Sequence, residues 1–172
     1  MTNRIAFHPA RGGRRLVAAL ALALAVGPAL PAAADTGATA RNHAIVRQAF
    51  DNWTQGGNVF ELLSPDVVWT IHGSGPVAGT YRGREAFVED ASMPLVSRLA
   101  TPIVPRVHHL WAVEDRVIIR FEGSATTTGG HPYNNQFVWI FRMRDGVVVE
   151  GEAFLDLAAY QAVVENNPPR GR

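Results

Sequence analysis

The sequence contains no cysteine. Disulfides, thiol nucleophiles and thiolate metal sites are thereby excluded. Lysine is absent too, so all 16 basic residues are arginines. The chelating spacings H-x-H and H-E-x-x-H do not occur. His108 and His109 are adjacent, which puts them on opposite faces of a strand. His43 lies at a helix start and His131 in a Gly-Gly-His-Pro turn. No metal is expected. Neither G-x-G-x-x-G nor a phosphate loop is present, so no cofactor is expected either.

What is present begins with a leader. Arg4, Arg11, Arg14 and Arg15 stand among the first 15 residues without an acid. The apolar run LVAALALALAV follows, too short to span a bilayer comfortably. Ala32 and Ala34 then offer the small-x-small pattern of a cleavage site. Residues 1–34 read as a secretory signal peptide, cleaved before Asp35. The expectation is an exported protein, periplasmic or secreted, with no membrane attachment after cleavage. Without those four arginines, 12 Arg face 15 Asp and Glu, a net charge near −3. That balance argues against nucleic acid as a partner. The remaining 138 residues suffice for one core.

Residues 35–40 read as a linker, 41–165 as the domain and 166–172 as a disordered tail. ARNHAIVRQAFDNWTQGG has helical spacing, with Ile45, Val46, Ala49, Phe50 and Trp53 on one face. Gly56–Gly57 ends it. VFELLSP reads as a short helix closed by Pro65, and DVVWTIHG as a strand. REAFVEDASMPLVSRL is a helix broken or kinked near Pro94. Four strand-like segments rich in Val, Ile, Thr and aromatics come next. Their joints are Glu114–Asp115, Gly129–Gly130 and Asp145–Gly146, the last a strong hairpin signal. LAAYQAVVEN closes the domain as a helix. Helices first and strands second predict an α+β fold, a strongly curved antiparallel sheet wrapped around N-terminal helices. RVIIRF is apolar on both faces, which predicts that a second copy covers the outer side of the sheet as a homodimer.

Several stretches carry a family resemblance in their order and spacing. They are Trp53-x-x-Gly-Gly, LSPDVVW, GTYRGREAF, VIIRFEG, HPYNNQFVWIFRMRDG and the closing FLD. Together they resemble the SnoaL-like branch of the nuclear transport factor 2-like superfamily over residues 41–160. The resemblance implies a bent sheet forming a cone with an apolar pocket, commonly a dimer, and no single activity. Members include isomerases, cyclases, hydrolases and binding modules.

The known chemistries of that superfamily can be tried residue by residue. The ketosteroid isomerase base aligns with Ile71, its Tyr near Phe50 and its second Asp with Trp139, so those groups are missing. The Arg-x-Asp of limonene-type epoxide hydrolases resembles Arg120-Phe121-Glu122. Its other Asp aligns with Ala153, its Tyr with Trp69 and its Asn with Ile71. The catalytic candidates are therefore His72 as base, with Arg120 and Glu122 polarising a substrate. The plainer reading makes His72 a solvated strand end and Arg120 with Glu122 a surface ion pair. The same alignment turns Gly151, Ala153 and Leu155 inward, Glu150 and Glu152 outward. Trp69, Tyr133, Asn135, Phe137, Trp139 and Ala153 are the candidates for binding a small apolar molecule. The rival expectation is a non-catalytic interaction module whose cone is filled by its own side chains.

Overall fold

The computed structural model describes residues 36–171. The leader expected over residues 1–34 lies outside the described residues. Helix α1 (Thr36–Thr54) starts at once, so residues 36–40 are its first turns rather than a linker. It buries Val46 and Phe50 against the sheet. It stops where Gly56 takes φ +94°, and the Gly57 N–H donates back to Asn52 O at 2.9 Å. A single 3-10 turn, Val59–Leu62, follows, capped by the Asn58 side chain.

Strand β1 (Leu63–Ile71) begins earlier than its sequence suggests and includes Pro65. Its register slips between Leu63 and Val68, so Pro65 sits where no ladder hydrogen bond is required of it. Strand β2 (Gly79–Arg82) pairs back on β1. Helices α2 (Arg84–Phe87) and α3 (Met93–Val96) are joined by a π-helical turn, Val88–Ser92. This is the break expected near Pro94, whose ring removes an N–H from the helical ladder.

Strands β3 (Val104–Val113), β4 (Arg116–Thr126), β5 (Pro132–Arg144) and β6 (Val147–Leu155) form an antiparallel meander. The β5–β6 hairpin turns at Asp145 (φ +52°) and Gly146 (φ +84°), the doubly left-handed geometry that Asp-Gly favours. The sheet order is β2-β1-β6-β5-β4-β3. One pairing is parallel, β1 with β6, so the sheet is mainly rather than wholly antiparallel. Register shifts also occur at Val107/His109 and Arg142/Met143. Such bulges bend a sheet. Helix α1 packs on β3 and β4, and helix α4 (Leu157–Asn166) packs on β5.

Side-chain alternation divides the sheet. Val67, Trp69 and Ile71 are buried on β1, as are Val117, Ile119 and Phe121 on β4. On β5 the same holds for Tyr133, Asn135, Phe137, Trp139, Phe141 and Met143. These residues face the helices. Their even-numbered neighbours face away.

The chain end differs from the disordered tail expected over residues 166–172. Asn166 ends α4, and Asn167–Arg170 is fastened to two loops. Arg98 Nε donates to Asn167 O at 3.0 Å, and Thr128 Oγ1 to Pro168 O at 2.7 Å. The Arg170 N–H donates to Ser97 O at 2.7 Å. Gly129 N donates to the Asn167 side chain at 3.1 Å.

Candidate functional site

The sheet's inner face, the start of the 3-10 turn and the 84–97 helical segment enclose a cavity of about 370 Å³. Its walls are aromatic. Trp53, Phe60, Trp69, Phe87, Phe137 and Trp139 supply most of the rings. Trp139 stands at the centre of β5, with Trp53 stacked at 5.9 Å and Trp69 edge-on at 5.2 Å. Phe121 meets it edge-on at 4.8 Å from β4. Trp69 is stacked on Phe87 at 4.3 Å, which ties β1 to the helical segment. Edge-to-face and offset contacts of this kind hold rings in fixed orientations.

Room for the cavity comes from small residues on β6. Ala153 lines it. Gly151 lies directly under Trp69, where a Cβ would come within 2.4 Å of Trp69 Cε3. Only glycine lets the indole lie flat on that strand. At the mouth are Asn58, Met93 and Pro102, all exposed.

Polar groups in the lining are few and neutral. The Tyr160 hydroxyl donates to Ala91 O at 2.8 Å, pinning α4 to the π-helical turn. Burial pushes its phenol up to about 12, so it is a neutral donor at ordinary pH. Asn58 Oδ1 accepts from the Phe60 N–H at 3.0 Å. The Trp69 indole N–H is buried and has no acceptor among the described residues. Among the described residues, no Asp, Glu, His or Arg lines the cavity.

The residues anticipated from sequence fall into three groups. Trp69, Phe137, Trp139 and Ala153 line the cavity. Tyr133 and Asn135 are buried but outside it. Asn135 instead clamps the entry to α4. It donates to Asp156 O at 2.9 Å and accepts from the Asp156 N–H at 3.0 Å. Its Nδ2 also reaches Tyr133 Oη at 3.0 Å. Burial raises the Tyr133 phenol far above its usual range.

His72, Arg120 and Glu122 do not meet the cavity or one another. They occupy even positions on β1's end and β4, on the face turned from the helices. His72 Nε2 pairs with Glu152 Oε2 at 2.8 Å, and its ring stacks on Phe154 at 4.5 Å. Arg120 Nη2 donates to Gln136 at 3.0 Å. Glu122 pairs with Arg106 at 2.5 Å. His108 Nε2 comes within 3.1 Å of Glu122 Oε1, off the line of a hydrogen bond. Arg106 foremost holds the Glu122 carboxyl below its usual range. The pocket-rim placement expected for His72 and the substrate-facing placement of Arg120 and Glu122 are thus corrected. The reason is strand parity: the inward side chains beside them are Ile71, Ile119 and Phe121.

Sequence reasoning missed Trp53, Phe60, Phe87 and Tyr160 as lining residues. A signal for the helical wall was present. Phe87, Ala91 and Leu95 recur every four residues, the spacing of one buried helix face.

The SnoaL-like domain family matches residues 43–151. No curated protein matches the sequence. Solved structures share the fold at low identity. An NTF2-like protein from Burkholderia thailandensis is 21% identical, with a TM-score of 0.59 over 71% of this chain and 95% of that one. Bal32a from a soil-derived mobile gene cassette is 22% identical, with a TM-score of 0.60 over 73% and 98%. TerC, co-crystallised with polyporic acid, is 20% identical, with a TM-score of 0.59 over 73% and 99%. At such identities the likeness carries the fold alone. The family match spans well over half of the chain, which therefore belongs to the SnoaL-like family.

Proposed function

We propose that this SnoaL-like chain is an exported binding protein for a small, mainly apolar molecule. One observation carries the reading: an aromatic-walled cavity of about 370 Å³ whose lining, among the described residues, has no ionisable group except a phenol. The size falls in the range of small-molecule pockets. A core filled by its own side chains would leave no such space, which disfavours the pure interaction module. Proton-transfer catalysis needs an acid or base within reach of the substrate. Tyr160, with its proton held to about pH 12 and given to Ala91 O, makes a poor base. The cavity is therefore suited to holding a molecule rather than transforming it.

Two further parts belong to the same proposal. Residues 1–34 direct export, to the periplasm or the medium, on the strength of their arginine-rich start, apolar run and Ala32/Ala34 pattern. A second copy covers the outer sheet face, where Trp111 is 49% exposed and Phe154 42%. Large apolar side chains exposed together on one face favour association.

The test is native mass spectrometry of protein purified from its own host, together with titration by apolar ring compounds. Three of the four tryptophans, Trp53, Trp69 and Trp139, line the cavity, so binding should quench or shift most of the indole emission. A chain that carries no retained molecule and binds no apolar compound would remove the proposal.

A further inference from the structure

Both ends of the cavity's helical wall are tied to the sheet. At its start the Gly83 N–H donates to Val67 O at 2.8 Å, and Arg84 Nη1 to Leu63 O at 3.3 Å. At its end the Thr128 N–H donates to Arg98 O at 2.9 Å, and the Ala100 N–H to Thr126 O at 2.7 Å. The stretch between supplies Val88, Ala91, Leu95 and Val96 to the cavity and puts Met93 at its mouth. That stretch is weak by construction. One π-helical turn and a four-residue helix gain little from their own hydrogen bonds and depend on packing.

The end of the chain holds this stretch from outside. Helix α3 packs on α4, and the Tyr160 hydroxyl donates to Ala91 O at 2.8 Å. Beyond α4, Arg170 donates from its N–H to Ser97 O at 2.7 Å and from Nη2 to Val96 O at 3.2 Å. These carbonyls lie at the C-terminal end of α3, where a helix leaves its own acceptors short of partners. The Arg98 guanidinium bridges the two segments. Its Nη1 donates to Pro94 O at 2.8 Å and its Nε to Asn167 O at 3.0 Å. The tail is anchored in turn by Thr128 Oγ1, which donates to Pro168 O at 2.7 Å. Residues 168–170 are exposed, so water competes for these bonds. Contacts with little apolar burial open first.

We propose that residues 167–170 are a latch on the cavity. While they hold Val96 and Ser97, the wall stays closed over the sheet. When they detach, residues 88–96 move outward and the mouth beside Met93 widens for entry and release. Residues 167–170 do not line the cavity, so the latch sets the rate of exchange rather than the affinity. This role rests on the binding reading given above.

The experiment measures entry and release by stopped-flow fluorescence. The probe is N-phenyl-1-naphthylamine, an uncharged aromatic compound that brightens out of water. A chain ending at Asn166 should take up and release the probe roughly tenfold faster than the intact chain, the factor for one or two net hydrogen bonds lost. Its equilibrium affinity should stay nearly the same. A tail that merely shapes the wall would instead weaken affinity on removal and leave entry unchanged. A second variant closes the latch. The chain has no cysteine, so Ser97→Cys with Arg170→Cys offers a single disulfide between backbones already hydrogen-bonded. Oxidised, it should slow both rates, and reductant should restore them in the same molecule, which separates the effect from folding. Equal rates in the oxidised and reduced protein overturn the latch. So does a folded truncation whose rates are unchanged or whose affinity alone falls. A probe that does not bind the intact chain removes the binding reading, and the latch with it.

Discussion

Replacing Gly151 by alanine tests whether the cavity wall is built as described. At a strand position free of steric constraint, Gly→Ala raises stability by roughly 0.4–1 kcal/mol, because alanine restricts the unfolded chain. Gly151 has no left-handed backbone conformation to protect it. The closest opposition comes from Trp69: an added Cβ would stand 2.4 Å from Cε3, 2.7 Å from Cζ3 and 3.1 Å from Cδ2. The indole has little room to yield, being stacked on Phe87 at 4.3 Å and held edge-on against Trp139 at 5.2 Å. Overpacking of this kind costs about 1–3 kcal/mol. For a domain of this size that corresponds to a melting point lower by roughly 3–15 °C. Thermal unfolding followed by circular dichroism measures it. A double-mutant cycle isolates the cause. Trp69→Phe removes the benzo edge, so Gly151→Ala should cost markedly less in that background. The reasoning is refuted if Gly151→Ala leaves the melting point unchanged or raised, or if its cost is the same with Phe at position 69.

Four other outcomes follow from the geometry. Asn135→Ala removes both bonds to the Asp156 backbone from a buried site. It should lower the urea-unfolding free energy by about 2–4 kcal/mol, the sum expected for two such losses. Deleting residues 167–172 frees Ser97 O and the loop at Thr128, so backbone amides near both should exchange hydrogen faster while the β4–β5 amides stay protected. In acid, Glu122 and Glu150 have carboxyls held below their usual range by Arg106 and Arg142 respectively, so each pair stabilises the fold above about pH 4.5 and is lost as pH falls through the depressed value. Glu122→Gln with Glu150→Gln should flatten that acid limb in pH-dependent unfolding. In alkali the sign reverses: the Tyr160 phenol, raised by burial, supports the fold below about pH 10 and loses that support as pH climbs to about 12. A Tyr160→Phe chain should show a shallower alkaline decline.

Much of the fold was legible because local signals agreed with one another. The four strands of the meander and their three joints stand where alternation and turn residues put them. Pro94 marked the helical break, although a π-helical turn could not be read from it. Two features were hidden for a physical reason. The parallel β1–β6 pairing is a long-range contact, and no local pattern distinguishes it from an antiparallel one. The fastened tail looked disordered because Asn-Asn-Pro-Pro lacks apolar residues. Its order comes from backbone groups meeting Arg98, Thr128 and Ser97, which composition does not register.

The candidate site was misjudged in its chemistry although the parity of its strands was visible throughout. On β1, β4, β5 and the end of β6, odd positions face the helices and are apolar apart from Tyr133 and Asn135, while the charged groups hold even positions. Trp69 and Ile71 inward require His72 outward. Ile119 and Phe121 inward require Arg120 and Glu122 outward. β6 changes phase near its start, where Val148 is buried, and β3 at the bulge beside His108, where the inward set continues through Leu110 and Ala112 without gaining a charge. Polarity, then, is sorted by phase across the whole sheet. His72 is hydrogen-bonded to Glu152, and Glu122, Arg142 and Glu150 are engaged in ion pairs, on the outer face, where a second copy is proposed to dock. Moving any one of them inward would take a one-residue register slip, which would also turn that strand's apolar set to water. The alternation that makes the cavity apolar also turns the charged side chains of β1, β4, β5 and the end of β6 away from it.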